Sequence, residues 1–123
     1  MFTPNQFIFY VQNPLESTKF YEKIFLKKPD LITPNYVSFS FENGLYFSLW
    51  STQAKNFVSG GTGHRSELAY LVPDEASVRE LRKQWVELGV IIEEDLFEAI
   101  FGLTFVALDP DGHRIRVSIS DKQ

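Results

Sequence analysis

The stretch LTFVALDPDGHRIRVSIS, residues 103–120, has a counterpart earlier in the chain, YVSFSFENGLYFSLWS at residues 36–51. Each stretch consists of two segments rich in β-branched and aromatic residues, separated by a turn sequence. NG at residues 43–44 is a strong hairpin signal, and DPDG at residues 109–112 is typical of a β-turn. Both stretches therefore predict a pair of antiparallel strands.

The same plan precedes both predicted hairpins. Residues 6–12 and 67–72 are short apolar runs that predict strands. Asn13 and Asp74 then occupy N-cap positions, and each is followed by apolar residues at helical spacing. The chain thus repeats the order strand, helix and hairpin.

One further strand completes each half. It is predicted at residues 30–33 in the first half and at residues 91–99 in the second. The sequence therefore predicts an α+β protein with two tandem β-α-β-β-β modules that form a single domain. The expected boundaries are residues 1–52 for the first module, 53–66 for a Gly- and Ser-rich connector, and 67–123 for the second module.

Composition excludes several classes of function. The formal net charge of −4 argues against a nucleic-acid or membrane-surface module, and the absence of cysteine excludes disulfides and thiolate chemistry. No apolar run approaches ~20 residues, so we expect no membrane segment. Residues 1–6 lack the pattern of a secretory signal, so we expect a cytoplasmic protein. The acidic run at residues 93–95 predicts a solvated edge strand.

The doubled plan and several motifs resemble the vicinal-oxygen-chelate superfamily, which includes glyoxalase I, extradiol dioxygenases and the fosfomycin- and bleomycin-resistance proteins. The branch it resembles most is that of the phenazine-antibiotic-resistance binding proteins. The stretches that carry this resemblance are FIFYVQN, STKFY, ITPNYVSF, LYFSLWS, SELAYLVP and FVALDPDGHRIRV. The resemblance implies a glyoxalase/bleomycin-resistance-type domain whose sheets face each other around a cleft. It also implies a homodimer, which we expect to complete its clefts between subunits.

Enzymes of this superfamily hold a divalent metal in the cleft. The resemblance places the four ligand positions at Gln6, Ser48, Glu67 and Arg116. Gln6 and Glu67 are acceptable oxygen ligands, but Ser48 is a poor one, and Arg116 repels a cation and has no lone pair. We therefore expect no metal and no other cofactor. Arg116 has two compatible interpretations: a structural ion pair with Glu67 and an anchor for a ligand carboxylate or ring oxygen.

Strand alternation assigns aromatic residues to the cleft. If Ser48 points into it, so do Tyr46 and Trp50, and Tyr10 follows on the first strand. Trp50 would stack on a planar ligand, although a packed surface aromatic is the alternative interpretation. Phe57 in the connector would contribute to selectivity.

The predicted function is metal-independent binding and sequestration of a small planar aromatic, phenazine-like compound. The predicted binding residues are Trp50, Tyr46, Ser48, Arg116, Glu67, Gln6, Tyr10 and Phe57. One alternative is a glyoxalase-like lyase, or an isomerase or dioxygenase-related enzyme, with Glu67 as base and with or without a metal. A third is an interaction module whose cleft has lost its ligand.

Overall fold

A computed structural model describes residues 4–54, 66–99 and 102–119 of the chain. The chain divides into two compact units, residues 1–61 and 62–123, here called the first and second modules. Within the described residues, no helix is both long and apolar enough to cross a membrane.

The first module consists of one helix and a four-stranded sheet. Its elements are β1 (Gln6–Val11), α1 (Pro14–Phe25), β2 (Leu31–Ile32), β3 (Tyr36–Ser40) and β4 (Tyr46–Ser51). The strand order is β1-β4-β3-β2. The β1–β4 pair is parallel and the other two pairs are antiparallel.

The second module repeats this arrangement. Its elements are β5 (Glu67–Val72), α2 (Glu75–Glu87), β6 (Ile91–Ala99), β7 (Gly102–Leu108) and β8 (Arg114–Ile119). The strand order is β5-β8-β7-β6, again with a parallel first pair. The predicted α+β fold with a β-α-β-β-β plan in each module is therefore confirmed.

Both helices begin at the predicted N-caps. Asn13 Oδ1 accepts hydrogen bonds from the backbone N–H groups of Leu15 and Glu16, at 3.1 and 3.3 Å. Asp74 Oδ1 accepts one from Ser77 N at 2.8 Å. Each cap satisfies N–H groups that have no partner inside the helix.

The hairpin turns depend on glycine. Gly44 and Gly112 have φ values of 83° and 85°, a left-handed conformation that a side chain disfavours. The first turn begins earlier than the NG pair at residues 43–44 suggests, because β3 already ends at Ser40. Phe41 N bonds to Leu45 O instead, which closes the turn.

The helix-facing side of each sheet is an aromatic core. In the first module, Phe25 of α1 packs edge-on against Phe39 and Phe47, with ring centroids 5.2 Å away in both cases. In the second module, Trp85 of α2 is 2% exposed and packs edge-on against Tyr70 and Phe105. This packing leaves the alternate residues of each sheet on the side opposite its helix.

The acidic run at residues 93–95 lies on an edge strand, as predicted, but its carboxylates are paired and not merely solvated. Glu93 and Glu94 both bond to Arg114, and Asp95 bonds to Arg82. The register of β6 against β7 shifts at this point. Such a bulge breaks the alternation of side chains, so two consecutive carboxylates can reach one guanidinium.

Candidate functional site

Each sheet has an open face, which we define as the side opposite its own helix. In the first module this face is formed by alternate residues of β1, β4 and β3, which lie side by side in the sheet register. These residues are Gln6, Ile8, Tyr10, Tyr46, Ser48, Trp50, Tyr36, Ser38 and Ser40. All nine are uncharged, so the first open face combines aromatic rings with hydroxyl and amide groups.

Three aromatic rings meet on this face. Trp50 lies between Tyr10 and Tyr36 in the register, since β4 is flanked by β1 and β3. The Tyr10 ring centroid lies 6.5 Å from that of Trp50, and the Tyr36 ring lies 6.1 Å from it at an interplanar angle of 88°. Tyr10 is 46% exposed and Trp50 is half-buried. Two predicted ligand-binding residues, Tyr10 and Trp50, are thus brought together, with Tyr36 as a third member.

A hydrogen-bond network lies beside the rings. Gln6 Nε2 donates to the Tyr36 hydroxyl at 3.0 Å and to Ser48 Oγ at 2.9 Å. The Tyr36 hydroxyl donates to Ser48 Oγ, which in turn donates to Ser38 Oγ, both at 3.0 Å. Ser48 is fully buried, so it lies beneath the face and fixes the positions of Gln6 and Tyr36.

A cavity of about 430 Å³ lies next to this network. Its lining residues, all in the first module, are Asn5, Gln6, Asp30, Leu31, Tyr36, Ser38 and Tyr46. Gln6 and Tyr46 were predicted as site residues, whereas Trp50, Tyr10 and Ser48 do not line this cavity. Phe57, the predicted selectivity residue, lies outside the described residues.

The open face of the second module is ionic. Glu67 pairs with Arg116 through two hydrogen bonds, from Nε to Oε1 at 2.8 Å and from Nη2 to Oε2 at 3.1 Å. Arg114 Nε also donates to Glu67 Oε2, at 2.9 Å. Glu67 lies opposite Arg114 in the register and diagonally from Arg116, so one carboxylate reaches both guanidinium groups. The predicted neighbourhood of Glu67 and Arg116 is therefore found.

This network sets the ionisation of its members. The hydrogen bond from Arg116 is the main reason that the pKa of the Glu67 carboxyl lies below its usual value, and Arg114 adds to the effect. Hydrogen bonds from Arg114 to Glu94 and Glu67 raise the pKa of Arg114. Arg116 Nη1 also donates to Thr104 Oγ1 at 3.2 Å. Glu67 is consequently held as an anion with low basicity.

The positions at which superfamily enzymes hold a metal do not fit a cation in this chain. Gln6 directs its amide N–H groups at Tyr36 and Ser48, and Ser48 is buried within its own hydrogen bonds. Both Glu67 oxygens accept from guanidinium groups, and Arg116 is itself a cation. In residues 4–54, 66–99 and 102–119, no three His, Cys, Asp or Glu side chains are grouped as a metal would require. We therefore assign no metal chemistry to these positions.

Two residues of the open faces escaped the sequence reasoning. Tyr36 lies opposite Trp50, and alternation along β3 places it on the same face. Arg114 precedes Arg116 by two residues and therefore shares its face. The period of two that identified Tyr46 and Trp50 could have found both, had it been applied to these strands.

Comparison with known proteins gives close relatives. The chain is 35% identical over 118 residues to the phenazine antibiotic resistance protein EhpR of Enterobacter agglomerans, a match that covers 94% of this chain and 90% of that protein. It is 36% identical to protein ATC0852 of Agrobacterium tumefaciens, whose solution structure matches with a TM-score of 0.84 over 97% of this chain and 98% of that one.

More distant structures share the fold. A glyoxalase-related enzyme from Fulvimarina pelagi matches with a TM-score of 0.79 at 21% identity, over 98% of this chain and 89% of that one. No protein-family model matches the chain. The identity to EhpR over almost the whole of both chains, together with the shared glyoxalase-type fold, settles the family. The chain belongs to the vicinal-oxygen-chelate superfamily and, within it, to the family of the phenazine antibiotic resistance protein.

Proposed function

We propose that the protein binds and sequesters a small planar aromatic compound of the phenazine type without a metal. The observation that carries the proposal is the group of three rings, Tyr10, Trp50 and Tyr36, on an uncharged sheet face. Aromatic rings on a flat face favour a planar ligand through burial and offset stacking, which adds about 0.5–1.5 kcal/mol for each ring pair. The relationship to a phenazine antibiotic resistance protein supports the same ligand class.

In this proposal the residues of the first module have distinct roles. Trp50 stacks on the ring system, and Tyr10, Tyr36 and Tyr46 form its walls. Gln6 hydrogen-bonds to a polar substituent, and Ser48 acts through Gln6 and Tyr36 because it is buried beneath them. The sequence adds Phe57 of the connector as a further contact.

The second module contributes charge. Arg116 binds an acidic or ring-oxygen substituent, and Glu67 orients Arg116 through their two hydrogen bonds. The low basicity of Glu67 favours this orienting role over the role of general base, because a carboxylate whose pKa is lowered accepts a proton poorly. Binding is therefore better supported than lyase or isomerase chemistry through Glu67.

The proposal includes the assembly expected from the sequence, a cytoplasmic homodimer. Sedimentation equilibrium of the purified protein tests the homodimer, because it gives the mass of the assembly and one chain has a mass of 14.2 kDa. We expect a mass of about twice that value, and a monomer at all concentrations would contradict this part of the proposal.

Calorimetric titration of metal-stripped protein with phenazine-1-carboxylic acid tests the proposed function. We expect saturable binding at micromolar affinity or tighter, about 8 kcal/mol. Trp50→Ala should abolish it, whereas Trp85→Phe is the matched control because Trp85 lies in the helix-facing core. A flat titration of the wild-type protein, or unchanged affinity in Trp50→Ala, would refute the proposal.

A further inference from the structure

The second open face contains an arginine that has no role in the proposed function. Arg114 lies on β8 two residues before Arg116, and its side chain is 25% exposed. Its three guanidinium nitrogens each donate to a different carboxylate: Nε to Glu67 at 2.9 Å, Nη2 to Glu94 at 2.6 Å, and Nη1 to Glu93. Arg114 thus binds carboxylates from both edge strands of the second sheet, β5 and β6.

The register of the sheet makes the pairing of Glu94 unexpected. Glu94 lies opposite Val106 on β7, and Val106 lies opposite Arg116 on β8. Glu94 and Arg116 are therefore in one row across the sheet, whereas Arg114 shares their face but lies two residues away along β8. The Glu94 carboxylate nevertheless bonds to Arg114. Arg114 thus takes up a negative charge that the register places in the row of Arg116.

Arg114 also bonds to the partner of Arg116, the Glu67 carboxylate. Glu67 Oε2 accepts hydrogen bonds from Arg114 Nε at 2.9 Å and from Arg116 Nη2 at 3.1 Å. The Arg116 side chain is 19% exposed and that of Glu67 is 30% exposed, so solvent screens their attraction only in part. A carboxylate that is shared by two guanidinium groups neutralises each of them less than it would neutralise a single one. Arg114 therefore leaves Arg116 more of its positive charge.

We propose that Arg114 is a positioning residue that enables Arg116 to bind an acidic group of the ligand. It acts on both sides of Arg116, because it holds Glu94 away from that guanidinium and fixes Glu67 between the two arginines. All three nitrogens of Arg114 donate to carboxylates, so we assign the contact with the ligand to Arg116. This inference rests on the proposed function, in which Arg116 binds the acidic substituent.

Calorimetric titrations with phenazine-1-carboxylic acid and phenazine-1-carboxamide test the inference, because these ligands have nearly the same shape and differ in charge. The acid should bind the wild-type protein about tenfold more tightly than the amide, since a charge-assisted hydrogen bond is roughly twice as strong as a neutral one. Arg116→Gln should reduce this ratio to about one. Arg114→Lys should reduce it at least about threefold, because a single ammonium nitrogen cannot hold Glu67 and Glu94 from two directions. Arg114→Gln, which also removes the charge, should reduce it at least as much.

The affinity for the amide separates positioning from a general loss of structure. In Arg114→Lys it should stay within about twofold of the wild-type value, since a damaged fold would weaken the binding of both ligands alike. The matched control is Arg82→Lys, the same exchange at an arginine that bonds to Asp95 in the same acidic run. Arg82 lies on α2 and hence outside the open face, so this variant should keep the full ratio.

The outcomes distinguish the inference from the function on which it rests. Equal wild-type affinities for the acid and the amide, an unchanged ratio in Arg114→Lys, or a full ratio in Arg116→Gln overturns the inference. An equal reduction in Arg82→Lys also overturns it. In each of these cases the ligands still bind, and the proposed stacking on Trp50 stands. Failure of the wild-type protein to bind either ligand overturns the proposed function and this inference with it.

Discussion

The two modules share one topology but present chemically different open faces. The first open face has three clustered rings and a network of hydroxyl and amide groups. The second has Arg114 and Arg116 joined through Glu67. The helix-facing sides, by contrast, are aromatic cores in both modules. The helix-facing residues are therefore alike in chemistry in the two modules, and the chemical difference between the modules lies on their open faces.

The two tryptophans of the chain illustrate this division. Trp85 is 2% exposed and packs against Tyr70 and Phe105 in the core of the second module. Trp50 is half-buried on the first open face, where its ring neighbours Tyr10 and Tyr36. We expect Trp85 to contribute to stability and Trp50 to contribute to binding.

The largest expected effect separates these tryptophans. Trp85→Ala should lower the free energy of unfolding by about 3–5 kcal/mol, because it leaves a large cavity in the core. Trp50→Ala should lower it by a smaller amount, about 1–2 kcal/mol, because Trp50 is only half-buried. Urea denaturation followed by circular dichroism measures both values. Equal losses would refute the division between core and open face.

A smaller effect is expected from the ionic face. Glu67→Gln should cost about 1–2 kcal/mol of unfolding free energy, because the Glu67 side chain is 30% exposed and bonds to Arg114 and Arg116. The matched control Glu16→Gln breaks an exposed pair with Lys19 and should cost less than about 0.5 kcal/mol. A cost for Glu67→Gln no greater than that of the control would show that the network adds nothing to stability.

Acid should remove the stabilisation that the ionised Glu67 side chain provides. The pKa of Glu67 is lower in the folded protein than the unfolded value of about 4.3, so its ionised form stabilises the fold. The contribution is present above that pH and is lost as the pH falls through the folded pKa. The stability difference between wild type and Glu67→Gln should thus be constant from about pH 5 to 7 and shrink below about pH 4. A difference that persists at about pH 2 would contradict this assignment.

The smallest difference is expected where the modules are alike. Asn13→Ala and Asp74→Ala each remove the N-cap of one helix and should each cost about 1 kcal/mol. Thermal unfolding monitored by calorimetry gives both values. If the two costs differ by more than about 1 kcal/mol, the helices are not equivalent supports for their sheets.

The sequence predicts the fold well because the relevant signals are local. Asn13 and Asp74 cap helices by their own side chains, and Gly44 and Gly112 adopt turn conformations that other residues disfavour. Alternation along β4 also predicts that Tyr46 and Trp50 share a face. Such features depend on residues close together in the chain.

The arrangement of the site depends on contacts across strands, which local patterns do not reveal. Ser48 is predicted to bind the ligand, and alternation alone does not reveal that it is fully buried and hydrogen-bonded to Gln6, Tyr36 and Ser38. The role of Arg114 as the centre of an ion-pair network depends on a bulge in β6, and a bulge breaks the period from which side-chain directions are read. Asp30 enters the cavity wall only through the tertiary structure.

The two indole N–H signals in a proton–nitrogen correlation spectrum test the central claim most directly. During titration with phenazine-1-carboxylic acid, the signal of Trp50 should shift and saturate while that of Trp85 stays in place, because only Trp50 lies on the first open face. Assignment follows from the spectra of Trp50→Phe and Trp85→Phe. A shift of the Trp85 signal with an unmoved Trp50 signal, or no shift of either, would contradict the claim that the first open face binds the aromatic ligand.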